Sequence, residues 1–294
     1  MEKQGQGYVY AIIAVLIWAT VASAFKISLR YLNFLQLLFW ASIVSVSFFL
    51  AVLLIQGKLA LLRTYSREEW LHSALLGFLN PFLYYVVLFQ AYSLLSAQEA
   101  QTLNYTWPIM ITLLSIPILR QRVKLQSVFA IIISFAGVLI TTTQGDILGF
   151  RFTNLTGILL ALSSAAIWAL FWIYSVKDNR DEVAKLFLNF TFGLVFILIS
   201  ILYFSELVVP DIIGLLGAVY VGLFEMGITF IIWLRALKLS KTTAQVSHFI
   251  YVVPFLSLIV ICFVVGEMIL IPTIVGLILV VTGIMLQEFA STRY

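Results

Sequence analysis

The chain has 294 residues, of which 63% are hydrophobic and 10% charged, and its mean hydropathy is +1.10. This balance excludes an ordinary water-soluble domain, which needs a charged surface. The formal net charge of +4 comes without a dense basic cluster, so it indicates no nucleic-acid partner. One cysteine, Cys262, lies in an apolar run, which excludes a disulfide framework and a multi-cysteine metal site. We therefore expect neither a metal nor a cofactor.

Ten apolar runs alternate with short connections of charged or turn-forming residues. A hydrocarbon core of about 30 Å requires roughly 20 residues of α-helix to cross it. The sequence therefore predicts an all-α integral membrane protein with ten transmembrane helices. The predicted helices 1 to 10 lie near residues 7–25, 32–55, 71–94, 98–119, 125–143, 155–176, 184–204, 212–234, 243–265 and 269–289.

Basic residues set the predicted orientation, because short loops that carry Lys and Arg are retained in the cytoplasm. Fourteen of the 17 Lys and Arg residues fall on the side of the N-terminus. The other side carries Lys26, Arg30 and Arg151. We therefore predict that both termini are cytoplasmic in a multi-pass protein of the cytoplasmic (inner) membrane.

The two halves of the sequence resemble each other. Trp18 in helix 1 recurs as Trp168 in helix 6, and the Tyr-Thr-Trp-Pro sequence at 105–108 corresponds to Tyr-Val-Val-Pro at 251–254. Each repeat contains five helices, which is an odd number. The two halves must therefore enter the membrane with opposite orientation, as in many secondary transporters. We predict a five-plus-five inverted repeat within one transmembrane domain. The predicted repeats are residues 1–146 and 147–294.

These features resemble the drug/metabolite transporter superfamily, and within it the ten-helix EamA-type exporters. The resemblance rests on the ten helices, the repeat, the Ile-Trp-Ala sequence at 167–169, and the spacing from Pro254 to the Gly-Glu pair at 266–267. The sequence Asn-Tyr-Thr-Trp-Pro at 104–108 is similar to the helix 4 motif of YddG-type aromatic amino acid exporters. The resemblance implies export of amino acids or other small metabolites through a central cavity lined by helices 1, 3, 4, 6, 8 and 9. Glu225 departs from the family pattern, which has a small residue there.

Helix 4 carries the most regular set of polar residues in the predicted spans. Its members are spaced by 3, 1, 3 and 4 residues, which places them along one stripe of a helix. They are Gln101, Asn104, Tyr105, Pro108 and Thr112. We predict that the stripe and Trp107 line the cavity, with hydrogen bonding between helices as the alternative role. Pro108 and Pro254 each remove a backbone hydrogen bond and predict a kink.

Glu225 lies about eleven residues into helix 8, near the predicted middle of the membrane. A buried carboxylate there requires a proton, a cation or a hydrogen-bond donor. One interpretation is a proton-coupling or substrate-amine site. The alternative is a structural acid held by neighbouring donors such as Asn80, its counterpart in the first repeat.

Further residues of the spans are candidates for substrate binding because of their polarity or their depth in the membrane. Histidine titrates near neutral pH, and tryptophan is unusual far from the membrane interfaces. The candidates are Trp18, Asn80, Tyr84, Trp168, His248 and Tyr251. Packing is the alternative role for each of them.

Taken together, the pattern favours a secondary transporter that moves a small metabolite, such as an amino acid, out of the cytoplasm by alternating access. An uptake carrier is the alternative within transport, and a membrane scaffold or receptor is the alternative outside it. An enzyme is not expected, since the spans contain no paired aspartates and no Ser/His constellation. The expected partners are a small-molecule substrate and the lipid bilayer, and the sequence leaves open whether two copies form a homodimer.

Overall fold

The computed structural model describes residues 2–119, 125–146, 152–175, 178–239 and 248–291. Within these residues the chain is helical and contains no strand. Ten helices follow the ten predicted spans, which confirms the all-α membrane architecture. Their bounds are α1 Glu2–Ser28, α2 Phe34–Ile55, α3 Arg67–Leu94, α4 Ala97–Asn104 with Trp107–Leu119, α5 Leu125–Thr142, α6 Leu155–Ser175, α7 Glu182–Phe204, α8 Ile212–Tyr220 continued by Val221–Ile228 and Thr229–Leu239, α9 His248–Val252 continued by Val253–Val260 and Ile261–Val265, and α10 Ile271–Ser291.

The helices are suited to a lipid environment. Among the described residues, α1, α2, α3, α6, α7 and α8 are each long and apolar enough to cross a membrane. Their exposed faces carry large apolar side chains, and Leu202 and Leu216 are more than half exposed. Inside a bilayer, a helix satisfies its own backbone hydrogen bonds, and its apolar side chains meet lipid at no cost. The exposed apolar surface therefore fits a multi-pass membrane protein.

Polar caps begin several of these apolar helices. The side chain of Ser66 accepts a hydrogen bond from the Glu69 amide, and the Glu69 carboxylate accepts one from the Ser66 amide at 2.7 Å. Asp211 caps α8 by accepting a 2.7 Å hydrogen bond from the Gly214 amide. The first amides of a helix have no partner within it, so such caps fix where each helix starts.

The two halves pack reciprocally. Helix α1 packs against α8 and α9, and its counterpart α6 packs against α3 and α4. Helix α2 packs against its counterpart α7, and α5 packs against its counterpart α10. Exchanging the halves therefore maps the pairings of α1 onto those of α6, and it maps the α2–α7 and α5–α10 pairings onto themselves. The boundary drawn between the two repeats stays a prediction, because residues 147–151 lie outside the described part of the chain.

Helices α3 and α8 each contain a π-helical segment at an equivalent place. The segment in α3 spans Phe78–Leu83, and there Asn80 leaves helical geometry, as its position before Pro81 predicts. The segment in α8 spans Val221–Ile228. Pro81 packs against Gly193 of α7, where a Cβ atom would collide with the proline ring. These interruptions turn the following side chains toward the interior of the bundle.

Candidate functional site

A cavity of about 360 Å³ lies in the middle of the bundle. Helices α1, α3, α4, α6, α8 and α9 supply its walls, which are the six helices that the resemblance indicates. Its polar lining residues are Gln101, Asn104 and Glu225. Its aromatic lining residues are Trp18, Phe25, Tyr84, Tyr92, Tyr105, Trp107, Trp168, Trp172, Phe230 and Trp233. Its aliphatic lining residues are Val21, Ala22, Leu88, Ile111 and Ile250.

The π-helical segment of α8 carries Glu225 to the cavity wall. The Tyr85 hydroxyl donates a 2.9 Å hydrogen bond to Glu225 Oε1, and Trp18 lies beside the same carboxyl group. Oε2 is buried and has no hydrogen-bond partner among the described residues. The hydrogen-bond donor to Glu225 Oε1 is therefore Tyr85, whereas the sequence indicates Asn80 as a candidate donor. Oε2 is therefore the part of the carboxyl group that lacks a partner in the described structure.

Neighbouring helices hold the π-helical segment of α8 in place. The Ser45 hydroxyl of α2 donates a 2.9 Å hydrogen bond to the Met226 carbonyl. Gly222 lies so close to the Ala41 carbonyl that a Cβ atom would collide with it. A π-helical turn shifts the backbone hydrogen-bond register by one residue, so this external donor and the close contact stabilise a conformation that a regular helix would not adopt.

Helix α4 is interrupted at the cavity. Tyr105 and Thr106 separate its two segments, and the Thr106 hydroxyl donates a 2.7 Å hydrogen bond to the Leu103 carbonyl. Pro108 therefore lies in the first turn of the second segment, where a missing amide costs least. Pro254 occupies the same place in α9, after the short turn His248–Val252. Both predicted proline kinks are present, and the polar stripe spans a break instead of one straight helix.

Asn104 faces the cavity and is anchored to two other helices. Its amide nitrogen donates a 2.9 Å hydrogen bond to the Ser164 hydroxyl on α6, and its oxygen lies 3.4 Å from the Tyr84 hydroxyl on α3. The Ser164 hydroxyl in turn donates to the Ala161 carbonyl at 2.7 Å. Gln101 lies one turn earlier, and its buried Oε1 has no partner among the described residues.

Aromatic rings form the rest of the wall. The ring centroids of Trp18 and Trp233 are 5.3 Å apart, and those of Trp168 and Tyr84 are 4.6 Å apart. Trp168 also contacts Phe230 at 5.9 Å. Trp18 and Trp168 hold equivalent places in the two repeats, so each half contributes one tryptophan to the cavity.

Two candidate residues, Asn80 and Tyr251, are not among the described lining residues of the cavity. Asn80 is fully buried beside Pro81, and its side-chain amide has no partner among the described residues. Tyr251 packs within the hydrophobic clusters of the core. The side chain of His248 lies outside the described part of the chain, as does that of Thr112. The eight cavity-lining candidates are Trp18, Tyr84, Gln101, Asn104, Tyr105, Trp107, Trp168 and Glu225, and their binding of a substrate stays a prediction.

Sequence reasoning missed several lining residues. Trp172 follows Trp168 by four residues and so lies on the same face of α6. The same spacing relates Tyr92 and Leu88 to Tyr84 on α3. Phe230 follows Glu225 by five residues across the π-helical segment of α8, which changes the helical register, so regular spacing from Glu225 does not find it. Trp233 follows Glu225 by eight residues, as Tyr92 follows Tyr84.

A polar cluster joins the two halves at the start of α4. The Glu267 carboxylate, from the connection between α9 and α10, accepts a 2.9 Å hydrogen bond from the Ala97 amide and a 3.4 Å one from the Gln98 amide. The Lys26 ammonium donates to the Tyr92 carbonyl at 2.9 Å and also bonds the Leu95 carbonyl. Anionic groups stabilise helix starts and cationic groups stabilise helix ends. Glu267 and Lys26 therefore fix the adjoining ends of α4 and α3.

Ion pairs lie at the opposite end of the bundle, between α6 and α7. The Arg180 guanidinium bonds the Asp178 carboxylate at 2.6 Å and the Ser73 hydroxyl at 2.9 Å. Lys58 bonds Asp181 at 2.7 Å. Burial raises the pKa of Asp178, but the hydrogen bonds from Arg180 outweigh that effect and hold the pKa below its ordinary value. Burial and the bond from Lys58 oppose each other in the same way at Asp181, whose pKa is also lowered.

The apolar helices define a multi-pass membrane protein, and the cavity between them has room for a small molecule. The profile of the EamA-like transporter family matches residues 5–143 and 155–287. The chain therefore belongs to the EamA-like transporter family, within the drug/metabolite transporter superfamily, and it is a membrane transporter of that family. The similarity of its helix 4 to YddG-type exporters stays a prediction.

Relatives with curated sequences carry the same description. An uncharacterized transporter of Acidianus ambivalens is 33% identical over 174 residues, which are 58% of this chain and 66% of that protein. The uncharacterized transporter YvbV of Bacillus subtilis is 26% identical over 76% of this chain and 74% of its own length. An uncharacterized transporter of Archaeoglobus fulgidus is 24% identical over 93% of this chain and 94% of its own. The chain spans 58% of a further relative, from Clostridium kluyveri.

The fold itself has a match among solved structures. A crystal structure of another protein superposes with a TM-score of 0.66 over 98% of both chains, at 22% sequence identity. At this identity the match shows the fold alone.

Proposed function

We propose that the protein is a secondary transporter that moves a small metabolite, an amino acid or a related compound, out of the cytoplasm by alternating access. The observation that carries the proposal is the cavity between the two halves, with a buried carboxyl group and polar amides on a wall that is otherwise aromatic and aliphatic. Transporters of this plan place the substrate between two repeats that rock against each other. The proposed location is the cytoplasmic membrane, with both termini in the cytoplasm.

Glu225 is the proposed coupling group. Its Oε2 is buried without a partner among the described residues, so the carboxyl group gains either by holding a proton or by binding a cationic donor. Proton and substrate would then compete for one group, and each would be carried in one direction. This competition is sufficient for exchange, because the carrier changes its orientation with one occupant or the other.

Both repeats of this chain contribute to the described cavity wall, Trp18 from the first and Trp168 from the second. We therefore propose that one chain is sufficient for transport, whether or not it forms a homodimer in the membrane. The proposal includes no enzymatic step and no cofactor, and it names a small-molecule substrate and the lipid bilayer as the partners.

The test is flux into and out of proteoliposomes under imposed pH and substrate gradients. The parent protein should accumulate substrate against its gradient when the pH differs across the membrane. Glu225→Gln keeps the shape and the acceptor for Tyr85 but cannot titrate, so it should lose pH-driven accumulation and keep downhill exchange. Accumulation by the variant equal to that of the parent would exclude Glu225 as the coupling group.

The same vesicles separate export from uptake. In inside-out vesicles, a proton gradient directed out of the lumen should drive accumulation if the protein exchanges protons for exported substrate. Accumulation only in right-side-out vesicles would favour the uptake carrier. Absence of flux for every compound in a metabolite screen would favour the scaffold or receptor.

A further inference from the structure

The cavity has acceptors but lacks a cation. Of the lining residues that the structure describes, Glu225 is the sole carboxylic acid and none is basic. The two buried oxygens without a partner there are Glu225 Oε2 and Gln101 Oε1. Both are hydrogen-bond acceptors, so the ligand that satisfies them must bring donors.

A ligand carboxylate meets no basic side chain among the lining residues that the structure describes. The Asn104 amide nitrogen already donates to Ser164 at 2.9 Å, and the Tyr85 hydroxyl already donates to Glu225 at 2.9 Å. A buried carboxylate near Glu225 would face a like charge without a neutralising partner, which is unfavourable in a medium of low dielectric constant.

The aromatic wall adds to the preference for positive charge. Trp18 lies beside the Glu225 carboxyl group, and its ring contacts that of Trp233 at 5.3 Å. The faces of tryptophan and tyrosine attract ammonium groups, most strongly where water is excluded. An ammonium beside Glu225 would therefore meet both a carboxylate oxygen and aromatic rings.

From this arrangement we propose that the cavity recognises its substrate as an organic cation, through an ammonium group held by Glu225 Oε2 and the Trp18 and Trp233 rings. The inference rests on the proposed function and narrows its substrate class. An amine without a carboxylate is then bound at least as well as the corresponding amino acid. A substrate carboxylate, where present, is tolerated and contributes no affinity.

The test uses four probes that share a phenyl ring and differ in charge: phenethylamine, phenylalanine, 3-phenylpropionate and 2-phenylethanol. Five of the seven tryptophans, Trp18, Trp107, Trp168, Trp172 and Trp233, line the cavity, so binding can be followed by the intrinsic fluorescence of the purified protein. Phenethylamine should bind at least about tenfold more tightly than 3-phenylpropionate, because it gains a charge-assisted hydrogen bond and cation–π contacts. Phenylalanine should bind no more tightly than phenethylamine.

Substitutions test whether Glu225 causes the preference for the amine. Glu225→Gln should weaken the binding of phenethylamine by about tenfold or more. The binding of neutral 2-phenylethanol should stay unchanged, which would also show that the cavity is intact. The matched control Glu206→Gln, in the exposed α7–α8 connection, should change neither. Equal or tighter binding of 3-phenylpropionate, binding of no probe, or a preference that survives Glu225→Gln would overturn the inference.

Flux of the same probes separates this inference from the proposed function. Transport of amino acids or anions without transport of amines would leave the transporter function standing and overturn the cation preference. Tight binding of phenethylamine without flux of any compound would support the cation site and contradict the transport cycle.

Discussion

The hydroxyl of Tyr85 and the carboxyl group of Glu225 join the two halves of the protein at the cavity wall, through a hydrogen bond of 2.9 Å between α3 and α8. Tyr85 is fully buried and Glu225 nearly so. The bond therefore joins two side chains that are largely shielded from bulk water.

Tyr85→Phe should destabilise the protein, because the ring still packs but the buried carboxyl group loses its donor. The free energy of unfolding should fall by about 1–3 kcal/mol, the usual cost of leaving a buried polar group without its partner. Thermal unfolding in detergent measures the change. Tyr31→Phe, at an exposed position, is the control and should alter stability little. Equal stability of the two variants would show that the bond contributes nothing.

Asn104→Leu should reduce transport at least about tenfold, because it replaces the half-buried polar amide of the cavity with an apolar group. The matched variant is Ser164→Ala, which removes the partner of Asn104 but leaves every lining side chain in place. Initial rates over a range of substrate concentrations should show a smaller loss for Ser164→Ala. If both variants transport like the parent, the polar stripe of α4 has a packing role.

Glu267→Gln should weaken the joint between the halves, because the amides of Ala97 and Gln98 lose a charged acceptor. Loss of a helix cap costs about 0.5–2 kcal/mol. Thermal unfolding of this variant is compared with that of Glu206→Gln. Proteolysis near α4 should also become faster in Glu267→Gln alone. If Glu267→Gln is as stable as its control, the Glu267 carboxylate does not stabilise the start of α4. The Ser96 side chain, which accepts a hydrogen bond from the Glu99 amide, would then be the cap of this helix.

The Asp178–Arg180 pair predicts a dependence of stability on pH. The pKa of Asp178 is lowered in the folded state from an ordinary value of 3.8. Its contribution is therefore complete above the unfolded pKa, near pH 4 and higher, and is lost as the pH falls through the folded pKa. Asp178→Asn should be less stable at pH 7 and should lose less stability than the parent between pH 5 and about pH 3. Parallel curves for the two proteins would exclude a contribution from this pair.

The topology can be tested with single cysteines in a protein whose Cys262 is replaced by serine. Gln56→Cys lies after α2, on the predicted cytoplasmic side, and Glu206→Cys lies after α7, on the predicted outer side; both positions are exposed. An impermeant thiol reagent should label Glu206→Cys in intact cells and Gln56→Cys only after lysis, as the distribution of basic residues predicts. The reverse labelling pattern would show that the chain has the opposite orientation in the membrane.

The fold was predictable from the sequence because membrane spans and their orientation follow from hydropathy and loop charge. Both depend on composition over roughly 20 residues, so no single position decides the prediction. The cavity was predictable in part. The polar stripe of α4 and the tryptophans Trp18 and Trp168 are unusual within apolar spans, so they could be recognised without coordinates.

The partner of Glu225 could not be predicted in the same way. Asn80 aligns with Glu225 in the repeat, yet the π-helical segments in α3 and α8 shift the register of each helix, so repeat alignment no longer indicates contact. Nothing in the sequence marks Tyr85 over Tyr84 as the donor. Ser164 is equally hard to recognise as the partner of Asn104, since a serine among alanines is typical of close helix packing.

The position of Glu267 has a consequence for biosynthesis. This residue follows Ala97, whose amide it accepts, by 170 residues in the chain. A ribosome adding about 5–20 residues per second needs roughly 10–30 s to cover that distance. The first five helices are complete well before the end of this interval, but until then the start of α4 lacks its anionic acceptor. A nascent chain that ends before Glu267 therefore cannot complete its own first repeat, although every residue of that repeat has been made.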